Sequence, residues 1–109
     1  MAQYVCDLPP MIVVSGSSYS NVISIFDDAT ALTVYTPTTL TSTGLAIEVE
    51  PTSTGTNFVT LQSGGSDVIL PAGKATVINK IGWRQMRLAA PATEAGARTC
   101  PVTKSVNVT

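Results

Sequence analysis

The sequence predicts an all-β protein: an antiparallel β-sandwich of about eight short strands with an extended N-terminal arm. Three observations carry this expectation. Short runs rich in Val, Ile and Thr recur about every ten residues, each closed by a turn signal. Several of these runs alternate apolar and polar residues with a period of two. No long segment has a helical period. The stretch 90–98, APATEAGAR, contains helix formers, but Pro91 and Gly96 limit it to a single turn.

The elements follow in order. Residues 1–11, MAQYVCDLPPM, read as an arm, because Leu8-Pro9-Pro10 favours extended conformation and does not suit a central strand. IVV at 12–14 is a short strand and SGSSYSN at 15–21 a loop. Residues 1–20 thus form the arm and first short strand, and 21–109 the sandwich domain. VISIF at 22–26 stops at Asp27-Asp28, read as a polar turn, and ALTVYT at 31–36 stops at Pro37. GLAIEVE at 44–50 alternates: Leu45, Ile47 and Val49 face one way, while Glu48 and Glu50 face a solvated side. NFVTLQ at 57–62 places Val59 and Leu61 opposite Thr60 and Gln62. Ser63-Gly64-Gly65-Ser66 is a tight connection whose glycines supply positive φ, and DVIL at 67–70 leads into the turn Pro71-Ala72-Gly73. KATVINK at 74–80 is the next strand. In WRQMRLAA at 83–90 the pattern is mixed, and a bulge near Gly82 resolves it with Trp83 in the core. ARTCPVTKSVNV at 97–108 closes the chain. Jelly-roll and immunoglobulin-like Greek-key connectivities both fit such a strand series.

The 109 residues suffice for one domain with one modest core. Charged residues make up only 12%, about half the usual share. That suits a neutral surface partly covered by partners. Net charge is −1, so no overall field attracts nucleic acid. The charges are nevertheless divided. Residues 1–70 contain acids and no base, whereas residues 71–109 contain all six bases and one acid, Glu94. Either the two halves pair within one fold, or they form complementary patches on a subunit that packs against copies of itself.

The residues offer little for catalysis. There is no histidine, which removes the commonest general base and metal ligand and rules out a Ser-His-Asp arrangement. Cys6 and Cys100 lie near opposite ends without zinc-type spacing. No signal peptide is visible and no apolar run is long enough to span a membrane, so synthesis in a cytoplasm with both thiols reduced is the expectation. A Cys6–Cys100 bridge is the alternative. Gly73-Lys74 resembles a phosphate loop only superficially: Ala75 follows where Ser or Thr is needed, and a strand follows where a helix is needed. The pairs Asp27-Asp28 and Glu48/Glu50 have no further acid or histidine nearby, so neither a metal site nor paired-carboxylate catalysis is expected. Arg84, Arg87 and Arg98 beside the single Trp83 make a weak basic-aromatic patch, and nucleic-acid binding is not expected.

Residues 21–88 resemble small virion proteins of tailed bacteriophages. The likeness is carried by LTVYTPTTLT, the IEVEP strand, GTNFVTLQSGGSDVILPAGKA and a closing aromatic-Arg-x-x-Arg strand. It implies a β-sandwich structural protein of the virus particle. The small size and terminal arms look like cement or decoration proteins, which bind the outside of an expanded capsid lattice and stabilise the head. Such a protein has no catalytic residue, cofactor or metal. It is made in the host bacterial cytoplasm and ends on the capsid exterior.

The resulting expectation is a non-enzymatic cement protein that binds the major capsid protein and itself, as a dimer or trimer. Its contacts are expected from the arm (Tyr4, Val5, Leu8, Ile12, Val13) and the basic strand (Arg84, Arg87), with terminal strands adding to a neighbour's sheet edge. Deleting residues 1–11 is then expected to weaken particle binding. A head–tail connector or tail component is one alternative, and a carbohydrate- or host-binding β-sandwich module another.

Overall fold

A computed structural model describes residues 2–25, 29–51, 57–79 and 83–108 of the chain. These residues contain strands and no helix. The strands are β1 (Ala2–Val13), β2 (Ile23–Ser24), β3 (Ala29–Tyr35), β4 (Leu45–Glu50), β5 (Val59–Thr60), β6 (Gln62–Ser63), β7 (Ser66–Asp67), β8 (Ile69–Leu70), β9 (Ala75–Asn79), β10 (Gln85–Ala89) and β11 (Arg98–Val108). One sheet, A, runs β1-β11-β3-β9. The other, B, runs β2-β10-β4-β5, with β8 also paired to β4. β6 and β7 form a separate hairpin. Every pairing is antiparallel. The predicted all-β antiparallel sandwich is therefore present.

The connectivity distinguishes the two expected topologies. β1 pairs with β11, β2 with β10, β3 with β9 and β4 with β8, so the chain pairs with itself about its middle like one long hairpin. This hairpin is rolled, and successive pairs alternate between the two sheets. That is jelly-roll connectivity, not the immunoglobulin-like arrangement. The described strands number eleven, not about eight, because the middle of the chain breaks into short pieces. The run 57–62 divides at Leu61, whose amide reaches across to Ile47 O at 2.8 Å. Leu61 turns toward the core while Val59 stays 62% exposed at the sheet edge.

The N-terminal stretch is a strand, not a free arm. β1 follows β11 from Ala2↔Val108 to Val13↔Arg98 with one irregularity, between Leu8 and Met11. There Pro9 and Pro10 lie against Pro101. Three residues without an amide hydrogen meet where the ladder is interrupted, and a bulge accommodates them. β1 is an edge strand, which is where prolines are tolerated. Pro101 sits in a central strand, but it lies one residue before the ladder to β3 begins, at Val102↔Val34.

Strand alternation places the core. Met11, Val13, Leu32, Val34, Cys100 and Val102 from sheet A meet Leu45, Ile47, Met86 and Leu88 from sheet B, and all are buried. Burying each large aliphatic side chain contributes about 2 kcal/mol before entropy is counted. Trp83 is buried, as expected; it precedes β10, so the strand's alternation does not govern it. Gly82 and the Asp27-Asp28 turn lie outside the described residues.

The glycine-rich stretch is a turn. Gly64 and Gly65 have φ of 63° and 84° and join Ser63 to its antiparallel partner Ser66. Positive φ at both central residues is what a two-residue hairpin matched to the strand twist requires. Gly73, at φ 70°, closes the Pro71-Ala72-Gly73 turn and donates its amide to Pro37 O at 2.9 Å.

Candidate functional site

Two buried or stacked charge clusters organise the surface loops. The first centres on Glu94, whose side chain is fully buried. Oε1 accepts hydrogen bonds from the Thr41 amide and from Arg98 Nε, each at 2.8 Å, and Oε2 accepts the Ser42 amide at 2.8 Å. The same loop is tied at further points. Ser42 Oγ donates to Ala92 O at 2.8 Å, Ala95 N to Thr41 Oγ1 at 2.9 Å, and Gly16 N to Glu94 O at 2.9 Å. One carboxylate thus fixes the loop after β10 to the loop before β4, and its own carbonyl holds the loop after β1. Burial pushes the carboxyl upward, but the Arg98 guanidinium and the Thr41 and Ser42 donors outweigh it and hold it down at about 2.

The second cluster lies on the outer face of sheet B. Arg87 and Glu48 are direct cross-strand partners. Arg87 Nε and Nη2 both lie 2.7 Å from Glu48 Oε1. The guanidinium stacks on two rings, 4.1 Å from the centre of Tyr19 and 4.5 Å from that of Phe58. A planar, weakly hydrated cation suits this sandwich. Next to it, Tyr19 bridges Ala89, Ala89 pairs with Ala46, and Ala46 pairs with Ile69.

The expected contact residues separate into groups. Tyr4 and Val5 are 57% and 71% exposed, and Ile12 is at the margin of exposure. Leu8 and Val13 were expected with them but are buried, because alternation along β1 turns them toward sheet B. Arg84 has an exposed side chain, and its backbone joins Glu50 O and Ile25 N. Arg87 is engaged within the chain by Glu48, Tyr19 and Phe58. Its proximity to Arg84 in sequence does not make a common basic patch.

Two readings change. Glu50 was expected on a solvated face with Glu48, yet it is fully buried and accepts the Asn57 amide at 2.7 Å. The Asn57 amide comes back to its carboxylate, a contact that alternation alone cannot reveal. Glu94 was not singled out as a site residue. Its signal in the sequence was its isolation among six bases.

Cys6 and Cys100 are both free. Cys6 pairs with Lys104 and Cys100 with Met11, so they stand on opposite sides of the proline bulge. Four ladder steps, roughly 13 Å, separate their rungs, beyond the reach of a disulfide. Burial, and then the Glu94 charge, pushes the Cys100 thiol up to about 11.

Among the described residues, no three of His, Cys, Asp and Glu are grouped to hold a metal. A cleft of about 300 Å³ opens between the β6–β7 hairpin and β9, lined by Leu61, Val68, Val77 and Ile78 with Gln62, Ser63 and Asn79. No charged residue lines it. The outer face of sheet A is equally neutral. Alternation assigns it Val5, Asp7 and Ile12 from β1, Thr99 to Ser105 at every second position from β11, Ala31, Thr33 and Tyr35 from β3, and Ala75, Val77 and Asn79 from β9. Asp7 is the one charge among these positions. No protein-family model and no curated protein matches the chain.

Proposed function

We propose that this chain is a structural protein of a tailed-bacteriophage particle, a capsid cement or decoration protein that binds the major capsid protein lattice and stabilises the head. It acts on the capsid exterior, as a non-catalytic homo-oligomer, after synthesis in the host cytoplasm. The observation that carries this reading is the outer face of sheet A. It is broad, almost uncharged, and bears Val5, Ile12, Tyr35 and Val77 in exposed positions. A face of this kind loses little by desolvation when it lies on another protein, since few charges must be stripped of water. Many such contacts, each weak, bind strongly when repeated over a lattice. The resemblance of residues 21–88 to small virion proteins supports the same reading.

The experiment is copy number per particle, by densitometry of purified virions. Hundreds of copies support cement. A ring-sized number of about six or twelve at one vertex favours the connector alternative instead. The binding face is tested with Val5→Lys and Tyr35→Lys on capsids. Both positions are exposed, so the fold is retained while occupancy falls. Deleting residues 1–11 is the poorer test, because it also removes Leu8 and Met11 from the core.

A further inference from the structure

The ladder between β1 and β11 is made of two pieces that are held unequally. One runs from Ala2↔Val108 to Leu8↔Val102, the other from Met11↔Cys100 to Val13↔Arg98. Between them Pro9 and Pro10 of β1 lie opposite Pro101 of β11. None of the three has an amide hydrogen, so none can donate a ladder hydrogen bond across this joint. All three are exposed, so water reaches the joint.

The piece after the joint is fastened from several sides. Met11 and Val13 are fully buried in the core. On the outer edge the Asn21 carboxamide takes the place of a neighbouring strand. Ile12 N donates to Asn21 Oδ1 at 2.7 Å, and Asn21 Nδ2 donates to Pro10 O at 3.2 Å. These are the two backbone groups that one residue of a parallel strand would satisfy. The preceding residue, Ser20, bridges Val13 and also reaches sheet B. Ser20 N donates to Leu88 O at 3.0 Å, and Leu88 N donates to Ser20 Oγ at 2.8 Å. Residues 11–13 are thereby tied to both sheets.

The piece before the joint is held by less. β1 is the edge strand of sheet A, so β11 is its one ladder partner there. Tyr4 and Val5 are 57% and 71% exposed, Asp7 is exposed and Cys6 half-buried. Of residues 4–8, Leu8 alone is buried. Backbone hydrogen bonds to β11 and one apolar side chain therefore carry most of the attachment. Hydrogen bonds contribute modestly when water can replace them, as it can at an edge.

We propose that residues 2–8 are a hinged strap: they leave β11 and return as one unit, swinging at Pro9-Pro10, while Met11–Val13 and the rest of the sandwich stay closed. Opening uncovers little apolar surface on the strap, because Leu8 is the one buried side chain among residues 4–8. The joint has no proline amide bond to break, and the fixed φ of its two prolines keeps the moving piece extended. Asn21 sets where the opening stops, since its carboxamide clasps Pro10 O and Ile12 N on the core side of the joint. When the strap is open, the backbone groups of Val102, Lys104 and Val106 that face β1 are free, and so is the segment that covered them. A segment with the reach of an arm is thus stored as a strand, which reconciles the proline-rich composition of residues 1–11 with their place in sheet A.

The strap does not depend on the capsid reading, and its test uses the purified full chain. Ile12 N points outward to Asn21, so alternation aims the amides of Met11 and Val13 at β11. Leu8 pairs with Val102, which points the same way along β11 as Cys100, so the amides of Leu8, Cys6 and Tyr4 also face β11. Native-state hydrogen exchange, read by NMR, compares the two sets. After correction for intrinsic rates, Tyr4, Cys6 and Leu8 should exchange at least about tenfold faster than Met11 and Val13, with one common opening constant. Such a step at the prolines supports the strap. Protection that declines gradually from Leu8 to Tyr4 overturns it in favour of ordinary strand-end fraying, and equal protection across the joint overturns it outright. The second arm pins the strap. Val5 and Ser105 are direct partners, so Val5→Cys with Ser105→Cys, in a Cys6→Ser background, links them within the oxidised chain. Tyr4 and Leu8 should then slow to the rate of Met11 and speed up again on reduction. An unchanged rate in the linked chain also overturns the proposal.

Discussion

Glu94 Oε1 lies 2.8 Å from Arg98 Nε, and the carboxylate of this pair is fully buried, with the arginine side chain 16% exposed. With Glu94 in a loop and Arg98 at the start of β11, the two would have little reason to hold one geometry on a surface. Here the amides of Thr41 and Ser42 complete the acceptor sites, so the charge is both paired and hydrogen-bonded. Glu94→Ala is expected to destabilise the fold by roughly 3–5 kcal/mol, because it strands Arg98 and two amides together. Urea unfolding of the single variants and of the double variant with Arg98→Met checks this. The coupling between the two positions should be large, and additive losses would argue against the clamp.

The same residue sets an acid limit. Its folded carboxyl is held at about 2, below its ordinary value of 4.5. In that window the unfolded state binds more protons, so stability rises with pH there. The stabilisation from Glu94 is fully present above about 4.5 and is lost as pH falls toward 2. Stability against pH should therefore descend through this interval in the native chain. The descent should be shallower in Glu94→Gln, as measured by urea midpoints at successive pH values.

Arg87 offers a test of stacking against charge. Arg87→Lys keeps the charge but loses the planar contact with Tyr19 and Phe58 and the two-nitrogen approach to Glu48. A loss of about 1–2 kcal/mol is expected. For a domain of this size that lowers the melting temperature by roughly 4–16 °C. An unchanged melting temperature would show that the stack contributes nothing.

Gly44 is required by its neighbours, not by its φ. A Cβ there would stand 2.5 Å from Ile69 Cγ2 and 3.1 Å from Leu70 O. Gly44→Ala should cost about 1–3 kcal/mol as β4 and β8 are forced apart. Ile69 is 47% exposed, so Ile69→Ala alone costs little. Combined with Gly44→Ala it should recover part of the loss, since the carbonyl contact remains. Thermal melts of the three variants distinguish this from a simple additive effect.

The thiols should behave differently. Cys100 is fully buried and its thiol is pushed up to about 11, so it should resist an aromatic disulfide reagent until the protein unfolds. Cys6 is only half-buried and should react in the native state. Counting thiols before and after adding denaturant checks the order, and mass spectrometry should find no Cys6–Cys100 bridge in air-oxidised protein.

Much of the fold was legible because its determinants are local. Alternation at Leu32 and Val34 or at Leu45, Ile47 and Val49 marks a strand face without knowledge of the partner, and Gly64-Gly65 marks a tight turn by backbone freedom alone. What escaped depends on distant partners. Glu94 is bound by amides more than fifty positions earlier in the chain, and nothing around residue 94 signals their arrival. Glu50 alternates as a solvent-facing residue, yet it is buried and its carboxylate takes the Asn57 amide. The residues read as an arm are ordinary in composition for either an arm or an edge strand; only the ladder to β11 shows that they are a strand.

That ladder joins β1 to β11, the two most widely separated strands of the described residues. β1 emerges from the ribosome early and finds no partner until β11 is synthesised. Leu8, Met11 and Val13 must wait with their apolar surface unburied, and sheet A is completed only once β11 has been made. Pairings of such wide sequence separation close slowly. Synthesis of β11, more than any local step, should therefore time the final folding of this sandwich.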